Sequence, residues 1–192
     1  NNNVVYLATD KGLSVSTDNM KVFTTYIDDI KINSFVIDGM NKLAATNKGC
    51  YIATENNKYK LISSVNNFDK AVIYGKEIFA LADKTIQSCT LNVYEWRVEI
   101  SYASAVKDFF LNNNAFYVLT DTGVYLNEQL LEIPDSQEFY SFYLDAAKNV
   151  LWVSTDSGLY KSSDAGKSWV VFDKTAGLEE QKINDIYVDN LD

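Results

Sequence analysis

Residues 152–172 read W-V-S-T-D-S-G-L-Y-K-S-S-D-A-G-K-S-W-V-V-F. Apolar and alternating runs are separated here by two turn sequences, T-D-S-G and S-D-A-G-K, a pattern that predicts three short antiparallel strands. Weaker copies of the first turn recur along the chain. This stretch is therefore the template by which the remainder of the sequence divides into repeats.

The T-D-x-G turn recurs at a nearly constant spacing. Its second position is acidic or Asn in each copy and falls at Asp10, Asn47, Asp83, Asp121 and Asp156. The intervals 47 − 10, 83 − 47, 121 − 83 and 156 − 121 are 37, 36, 38 and 35 residues. A fixed period of this length is typical of repeat architectures. An Asp or Asn that caps its own backbone, followed by Gly, predicts a tight hairpin in each copy.

Each turn joins an apolar strand to an alternating one, and most copies have a further strand on either side. The expected first strands cover 31–38, 69–74, 106–112 and 139–145, and the expected last strands cover 22–26, 59–63, 96–100, 130–133 and 169–172. Each repeat is thus predicted to be a four-stranded meander. A helical-repeat solenoid is the alternative for such a period, but apolar residues alternate with period two, which favours strands.

The first repeat lacks its first strand, whereas the end of the chain carries a spare copy of it. Residues 182–189 read K-I-N-D-I-Y-V-D and closely repeat K-I-N-S-F-V-I-D at 31–38. The predicted fold class is therefore all-β: a single five-bladed β-propeller domain over residues 1–192, closed by the C-terminal strand joining the N-terminal blade. Such closure removes the open sheet edges that promote aggregation.

Composition agrees with strands and limits the partners. The chain has 192 residues, with 13 Tyr, 10 Phe and one Pro, and aromatic residues favour strands. Its formal net charge is −9, from 26 acidic and 17 basic residues, so nucleic acid and anionic membrane surfaces would be repelled. No apolar run approaches the roughly 18 residues that span a bilayer. We expect neither a nucleic-acid partner nor membrane insertion.

Residues 162–169, S-S-D-A-G-K-S-W, resemble the Asp-box of the BNR repeat family, S-x-D-x-G-x-x-W. Residues 16–23 resemble it less closely, with Met20 in place of the Gly and Phe23 in place of the Trp. The resemblance implies a propeller in which the Asp-box is a structural hairpin. The residues that take this structural role by resemblance are Ser162, Asp164, Gly166 and Trp169. Similar repeats in bacterial sensor and surface proteins imply an extracytoplasmic location: secreted, periplasmic or at the cell surface.

The residue types present argue against most catalytic arrangements. Sialidases also carry Asp-boxes, and resemblance to them would imply three arginines that grip the substrate carboxylate; this chain has one, Arg97. The absence of His excludes Ser-His-Asp and Cys-His catalysis and most zinc sites. We therefore assign no catalytic residue, metal or cofactor, and a glycoside hydrolase with a carboxylate pair is a remote alternative. Cys50 and Cys89 have no metal-binding spacing and are expected to be free and buried.

Alignment of the first strands gives one polar column, which we take as the candidate binding site. The column contains Ser34, Ala71, Asp108, Ser141 and Asp185, and the column two residues later contains Val36, Ile73, Phe110, Tyr143 and Tyr187. In a five-fold ring the first column would line the mouth of the central channel with two carboxylates and two hydroxyls. Such oxygens suit a hard cation or a polyol. The alternative is that small residues simply fit where five strands converge. The candidate ligand-binding residues are Ser34, Asp108, Ser141 and Asp185.

These features predict a non-catalytic binding or sensor module. Its expected partner is a protein or peptide, bound at the channel-mouth face. A glycan-binding, lectin-like propeller is the alternative, but repeated lectin sites need the same side chains in each unit. In this sequence only the turn residues repeat.

Overall fold

The computed structural model describes residues 3–53, 57–65, 67–136, 138–180 and 182–188. The chain divides into two compact units, Asn1–Ser101 and Tyr102–Asp192. Within the described residues there are nineteen strands and a single 3-10 turn, Lys174–Ala176. None of the helical structure in these stretches is long and apolar enough to cross a membrane.

The first unit contains three antiparallel sheets, which we number 1 to 3 in chain order. Each strand pairs with the next strand along the chain. Sheet 1 consists of β1 (Val5–Thr9), β2 (Gly12–Ser16) and β3 (Thr24–Asp28). Sheet 2 consists of β4 (Ile32–Asp38), β5 (Asn41–Thr46), β6 (Gly49–Ala53) and β7 (Lys60–Ser63). Sheet 3 consists of β8 (Lys70–Tyr74), β9 (Glu77–Ala82), β10 (Thr85–Thr90) and β11 (Arg97–Ser101).

The second unit contains two further sheets of the same type, numbered 4 and 5. Sheet 4 consists of β12 (Val106–Asn112), β13 (Ala115–Thr120), β14 (Gly123–Leu126) and β15 (Gln129–Leu130). Sheet 5 consists of β16 (Phe139–Asp145), β17 (Val150–Thr155), β18 (Gly158–Ser162) and β19 (Val170–Phe172). The all-β prediction and the five meander repeats are confirmed, and these sheets have the form of propeller blades.

The predicted closing strand is not confirmed. Sheet 1 has three strands among the described residues, and residues 182–188 form no strand; Asp189 lies outside the described residues. Side chains of this segment instead contact β16. The Ser141 hydroxyl donates to the Asp185 carboxylate at 2.7 Å, and the Lys182 ammonium lies 4.8 Å from the centre of the Tyr140 ring. Side-chain contacts rather than a backbone ladder therefore hold the segment, and the single five-bladed propeller domain stays a prediction.

The apolar residues of facing strands form cores between successive sheets. Leu43, Ile52 and Ile78 are fully buried between sheets 2 and 3, and Leu151 and Val153 are buried between sheets 4 and 5. Alternate residues of each strand point to the same face, so the alternation seen in the sequence becomes one buried face per sheet. Two cysteines belong to the first of these cores and are free and buried, as predicted: Cys50 and Cys89.

In the T-D-x-G turns, the threonine side chain makes the hydrogen bonds within the turn. The sequence pattern points to the Asp or Asn for this role. The hydroxyl of Thr155 donates to the Gly158 carbonyl at 3.1 Å and accepts from the Ser157 N–H at 3.0 Å. The same pair of bonds occurs at the other complete copies, which begin at Thr9, Thr46 and Thr120. A hydroxyl both donates and accepts, so one side chain satisfies two turn groups.

In two copies the Asp or Asn of the turn accepts from the residue just before the first strand of its own sheet. Asn47 Oδ1 accepts from the Lys31 N–H at 3.1 Å, and Asp156 Oδ1 accepts from the Glu138 N–H at 3.2 Å. In these two copies the acidic or Asn position therefore ties the turn to the start of the first strand. Its predicted role as a cap of its own turn stays a prediction.

Candidate binding surfaces

A β-bulge lies immediately before the polar column on three of the first strands. The strand register shifts between Ile32 and Ser34 in sheet 2, and equivalent shifts occur around Lys107 in sheet 4 and Tyr140 in sheet 5. A bulge leaves one residue unpaired and changes the direction of its side chain. In sheet 4 the bulged residue is Lys107, and its ammonium donates to the Phe139 carbonyl of sheet 5 at 2.8 Å.

Ser141 and Asp185 are the two predicted site residues that the structure brings together. The Ser141 N–H donates to Oγ of the buried Ser154 at 2.9 Å, which fixes the backbone after the bulge. The Ser141 hydroxyl donates to Asp185 Oδ1 at 2.7 Å, and the Ile186 N–H donates to the same oxygen at 2.8 Å. These hydrogen bonds lower the pKa of Asp185, so its carboxylate is charged at neutral pH.

The other residues of the two columns have varied surroundings. Asp108 lies on β12, and its Oδ1 accepts from the Phe109 N–H at 2.8 Å. Ser34 is half-buried on β4 in the first unit. In the apolar column, the Phe110 and Tyr143 rings pack with centroids 6.3 Å apart, whereas Tyr187 is 89% exposed because its segment forms no strand.

Sheets 4 and 5 and residues 182–188 of the second unit carry further charged and aromatic side chains besides the Ser141–Asp185 pair. We call this set the polar face; its members are Lys107, Asp108, Asp121, Glu138, Tyr140, Ser141, Lys182 and Asp185. The Lys107 ammonium lies 3.0 Å from the Asp121 carboxylate. The Tyr140 hydroxyl donates to Glu138 at 2.6 Å, and this bond to a carboxylate raises the pKa of Tyr140 to about 12. Nowhere in the described residues do three acidic or thiol side chains form a group that could hold a metal ion.

Ser162 and Asp164 form a hydrogen-bond network within the hairpin at residues 162–169. Ser162 Oγ donates to Asp164 at 2.8 Å and accepts from the Gly166 N–H at 2.8 Å. Asp164 also accepts from the Ser168 hydroxyl at 2.6 Å and from the Ser168 N–H at 2.9 Å. These hydrogen bonds, those from Ser168 first, lower the pKa of Asp164 to about 2.

The weaker copy at residues 16–23 forms the same network. Ser16 Oγ donates to Asp18 at 2.7 Å and accepts from the Met20 N–H at 3.0 Å. Asp18 accepts from the Val22 N–H at 3.0 Å. Met20 takes the position of Gly166, and both have positive φ, 67° for Met20 and 88° for Gly166. The turn therefore forms without the glycine of the motif.

A groove of about 660 Å³ lies beside the 162–169 hairpin in the second unit. One wall is residues 129–134 of sheet 4 and the loop after it, and the other wall is residues 165–169. Trp169 lines the groove, and its Nε1 is buried with no hydrogen-bond partner among the described residues. The sequence alone did not indicate this groove, because it depends on how two sheets meet at their outer strands.

No family model matches the chain, and no curated protein is similar to it in sequence. Its fold is similar to that of an ancestral GH74 enzyme, with a TM-score of 0.73 and 16% identity over 93% of this chain and 30% of the enzyme. It is also similar to the extracellular domain of a one-component system from B. thetaiotaomicron, with a TM-score of 0.67 and 14% identity over 97% of this chain and 29% of that domain.

A third similar structure is PorZ, a surface component of the type-IX secretion system of Porphyromonas gingivalis. The TM-score is 0.62 and the identity 17%, over 88% of this chain and 25% of PorZ. At such identities the similarity shows the fold alone, because one fold supports many functions. The chain spans less than a third of the length of each of these three proteins.

Proposed function

We propose that the chain is a non-catalytic binding or sensor module that binds a protein or peptide through the polar face. The observation that carries this proposal is the hydrogen bond between Ser141 and Asp185. It holds a hydroxyl and a charged carboxylate side by side on an accessible surface, in the column that the repeat singles out.

Charge on the polar face favours a basic partner. The face contains four carboxylates and two lysines, and the whole chain has a net charge of −9. Complementary charge steers a partner of opposite sign and selects against acidic ones. A protein surface or peptide rich in Lys and Arg therefore fits the face best, and its binding weakens as salt is raised.

The pKa shifts of the described carboxyl groups support a non-catalytic role. A glycosidase needs a general acid whose pKa is raised. The carboxyl groups whose pKa departs from the usual range are all shifted downward; they are Asp18, Asp164, Asp173 and Asp185. These groups are charged at neutral pH and suit hydrogen bonding and ion pairing rather than proton transfer.

An Asp-box propeller of extracytoplasmic location is the setting that we propose for this activity. The hydrogen-bond networks at residues 16–23 and 162–169 are those expected of the Asp-box. Similar structures include an extracellular domain and a bacterial surface component. Both observations support the proposal by resemblance.

A capture experiment with matched variants tests the proposed function. The wild-type chain, Asp185→Asn and the control Asp173→Asn are immobilised and exposed to a cell-surface extract of the organism that makes the chain. Asp173 is a suitable control because its carboxylate caps a 3-10 turn, accepting from the Thr175 N–H at 2.8 Å. We expect a basic protein on the wild type and on Asp173→Asn, and little of it on Asp185→Asn.

Two further assays separate this proposal from its alternatives. Glycan-array binding that is lost in Asp185→Asn, without a captured protein, would replace it with the lectin-like function. Turnover of a glycoside by the purified chain would replace it with the enzymatic one. Neither signal is expected, because the face has four carboxylates against two lysines and hydrogen bonds lower the pKa of the Asp185 carboxyl group.

A further inference from the structure

The outer junction between sheets 2 and 3 is closed by a half-buried tryptophan. Trp96 directly precedes β11, the outer strand of sheet 3, and its indole N–H donates to the Ile62 carbonyl of β7 at 2.8 Å. The Trp96 ring also stacks on Phe68, with centroids 5.2 Å apart. This hydrogen bond connects β7, the last strand of sheet 2, to the residue just before β11, the last strand of sheet 3.

The equivalent junction between sheets 4 and 5 lacks this bond. Trp169 directly precedes β19, the outer strand of sheet 5, and so takes the position of Trp96. Its indole N–H is buried and has no partner within the described part of the chain. The outer strand of sheet 4, β15, has two residues, whereas β7 has four. The groove of about 660 Å³ lies beside residues 131–134, where sheet 4 would continue if β15 were as long as β7.

The groove offers free polar groups on both walls. Gln129 and Glu132 on one wall and Lys167 on the other are exposed, and their side chains make no hydrogen bond or ion pair to any described residue. Leu130, on the first wall, is 47% exposed. The groove is therefore amphipathic, with a few polar groups on a partly apolar lining, as is typical of ligand sites.

The two sheets approach closely at the floor of the groove. A Cβ built on Gly166 would lie 2.6 Å from Cδ1 of Leu131, whose side chain is buried. Gly166 thus allows the hairpin to pack directly on Leu131. Beyond Leu131, the backbone groups of Glu132 and Ile133 make no backbone hydrogen bond to the described residues. These two residues follow β15 without belonging to a strand, and their backbone groups lie along one wall of the groove.

We propose that this groove binds an extended peptide segment of a partner protein as an added strand beside residues 129–133. At the corresponding junction of the first unit, the acceptor of the indole N–H is the backbone carbonyl of a strand. A peptide in the groove, which Trp169 lines, carries acceptors of the same kind along its backbone, within reach of the Trp169 side chain. An unpaired buried donor is unfavourable, so this hydrogen bond favours the occupied state. The site is separate from the polar face and does not depend on it.

The two walls also define the chemistry of the peptide. An alternating sequence places apolar residues against Leu130 and polar residues toward solvent. Glu132 favours a basic residue on its side, and Lys167 favours an acidic residue on the other. The preferred segment therefore alternates and carries both charges, which distinguishes it from the basic partner of the polar face.

A random decapeptide library displayed on phage tests the proposal. Peptides selected on the wild-type chain are synthesised, and their dissociation constants are measured on the wild type, Trp169→Phe and the matched control Trp96→Phe. We expect alternating peptides that bind Trp169→Phe about tenfold more weakly and Trp96→Phe unchanged. Binding by Asp185→Asn is also expected to be unchanged, which separates this site from the polar face.

A second variant keeps the proposal testable if Trp169→Phe folds poorly. Glu132→Lys changes one exposed side chain and is expected to select peptides with an acidic residue where the wild type selects a basic one. Failure to select any peptide, or selection of peptides that bind both variants as tightly as the wild type, would overturn the proposal. Glycan-array binding that depends on Trp169 would assign the groove to a carbohydrate instead.

Discussion

Met20 occupies a backbone position suited to glycine. Its φ of 67° lies in the left-handed region, and its side chain is 63% exposed, so little burial compensates for the strain. The motif could be aligned from the sequence, but the consequence of the missing glycine depends on the turn that forms. Since the Met20 N–H still donates to Ser16, the strain falls on one residue while the hydrogen-bond network is kept.

Replacing Met20 by Gly should stabilise the protein. We expect the free energy of unfolding to rise by about 0.5–1 kcal/mol, because relief of the left-handed strain exceeds the entropy that Gly loses on folding. Urea unfolding of the purified variant and the wild type measures this change in the free energy of unfolding. The counterpart Gly166→Ala should be destabilised, since its Cβ would lie 2.6 Å from Leu131 Cδ1. Equal stability of Met20→Gly and the wild type would show that the turn carries no strain.

The Asp164 carboxylate makes stability depend on acidic pH. Its pKa is lowered from the usual 3.8 to about 2, chiefly by hydrogen bonds from Ser168, so the folded state favours the charged form. Its contribution is complete above pH 3.8 and is lost as the pH falls toward 2. Thermal unfolding of the wild type and Asp164→Asn between pH 5 and pH 2 should show a difference in Tm that narrows with falling pH. A difference independent of pH would contradict this role.

The positions of the strands could be predicted from the sequence better than any other feature. The first strands of sheets 4 and 5 begin and end where the repeat predicts, at Val106–Asn112 and Phe139–Asp145. The last strand of sheet 4 was expected at 130–133 but covers Gln129–Leu130, and Pro134, which cannot donate a ladder hydrogen bond, follows soon after. Turn residues and alternation are local signals, whereas strand length also depends on the neighbouring sheet.

The bulges illustrate what local patterns omit. Lys107 reads as one strand residue among others, yet its bulged position allows its ammonium to donate to the Phe139 carbonyl of the next sheet. Alignment of the first strands places Asn33, Lys107 and Tyr140 in one column just before the polar column. That shared polarity was the available signal, but a bulge depends on pairing register and cannot be read from one strand.

Lys107→Ala should destabilise the contact between sheets 4 and 5. We expect a loss of about 1–2 kcal/mol in the free energy of unfolding, because a charge-assisted hydrogen bond to a backbone carbonyl is removed. The matched control is Lys11→Ala, whose pair with Asp29 is 3.6 Å long and 85% or more exposed on both side chains. That change should cost no more than about 0.5 kcal/mol. Urea unfolding that gives equal losses for the two variants would contradict the role of Lys107.

The two equivalent tryptophans provide a matched comparison of outer junctions. Trp96→Phe removes the hydrogen bond to the Ile62 carbonyl, whereas Trp169→Phe removes a donor that has no partner among the described residues. The loss of ring volume is the same in both variants. We expect Trp96→Phe to lower the free energy of unfolding by about 1–2 kcal/mol more than Trp169→Phe. Equal losses in urea unfolding would mean that the two junctions are equally closed.

For the whole molecule, the repeat predicts both five sheets and a closed propeller, but the local sequence patterns are sufficient only for the sheets. Five sheets follow from the spacing of the T-D-x-G turn, because each copy contains the signals for its own strands. The single-domain propeller stays a prediction, since it depends on contacts distant in sequence. The expected closing strand copies residues 31–38 in sequence, yet residues 182–188 form no strand and contact β16 through Asp185 and Lys182.

Recognition of a basic partner is the functional consequence of the charge of the molecule. The net charge of −9 attracts a basic partner to the protein as a whole. The polar face then determines where the partner binds and in which orientation. Within that face, the sequence alignment selected Asp108, Ser141 and Asp185, and the structure adds Lys107, Tyr140 and Lys182. Those three were missed because lysine and tyrosine are common on exposed strands and have no distinctive spacing.

Binding by the polar face is tested by the affinity of the captured partner for a chain in which this face is altered. The dissociation constant is measured by calorimetry for the wild type, the double variant Asp108→Asn/Asp185→Asn and the control Asp173→Asn. Removing two charges from the face should weaken binding about tenfold or more, while Asp173→Asn binds as the wild type does. Equal affinity of the double variant and the wild type would contradict the account and leave these carboxylates with a structural role.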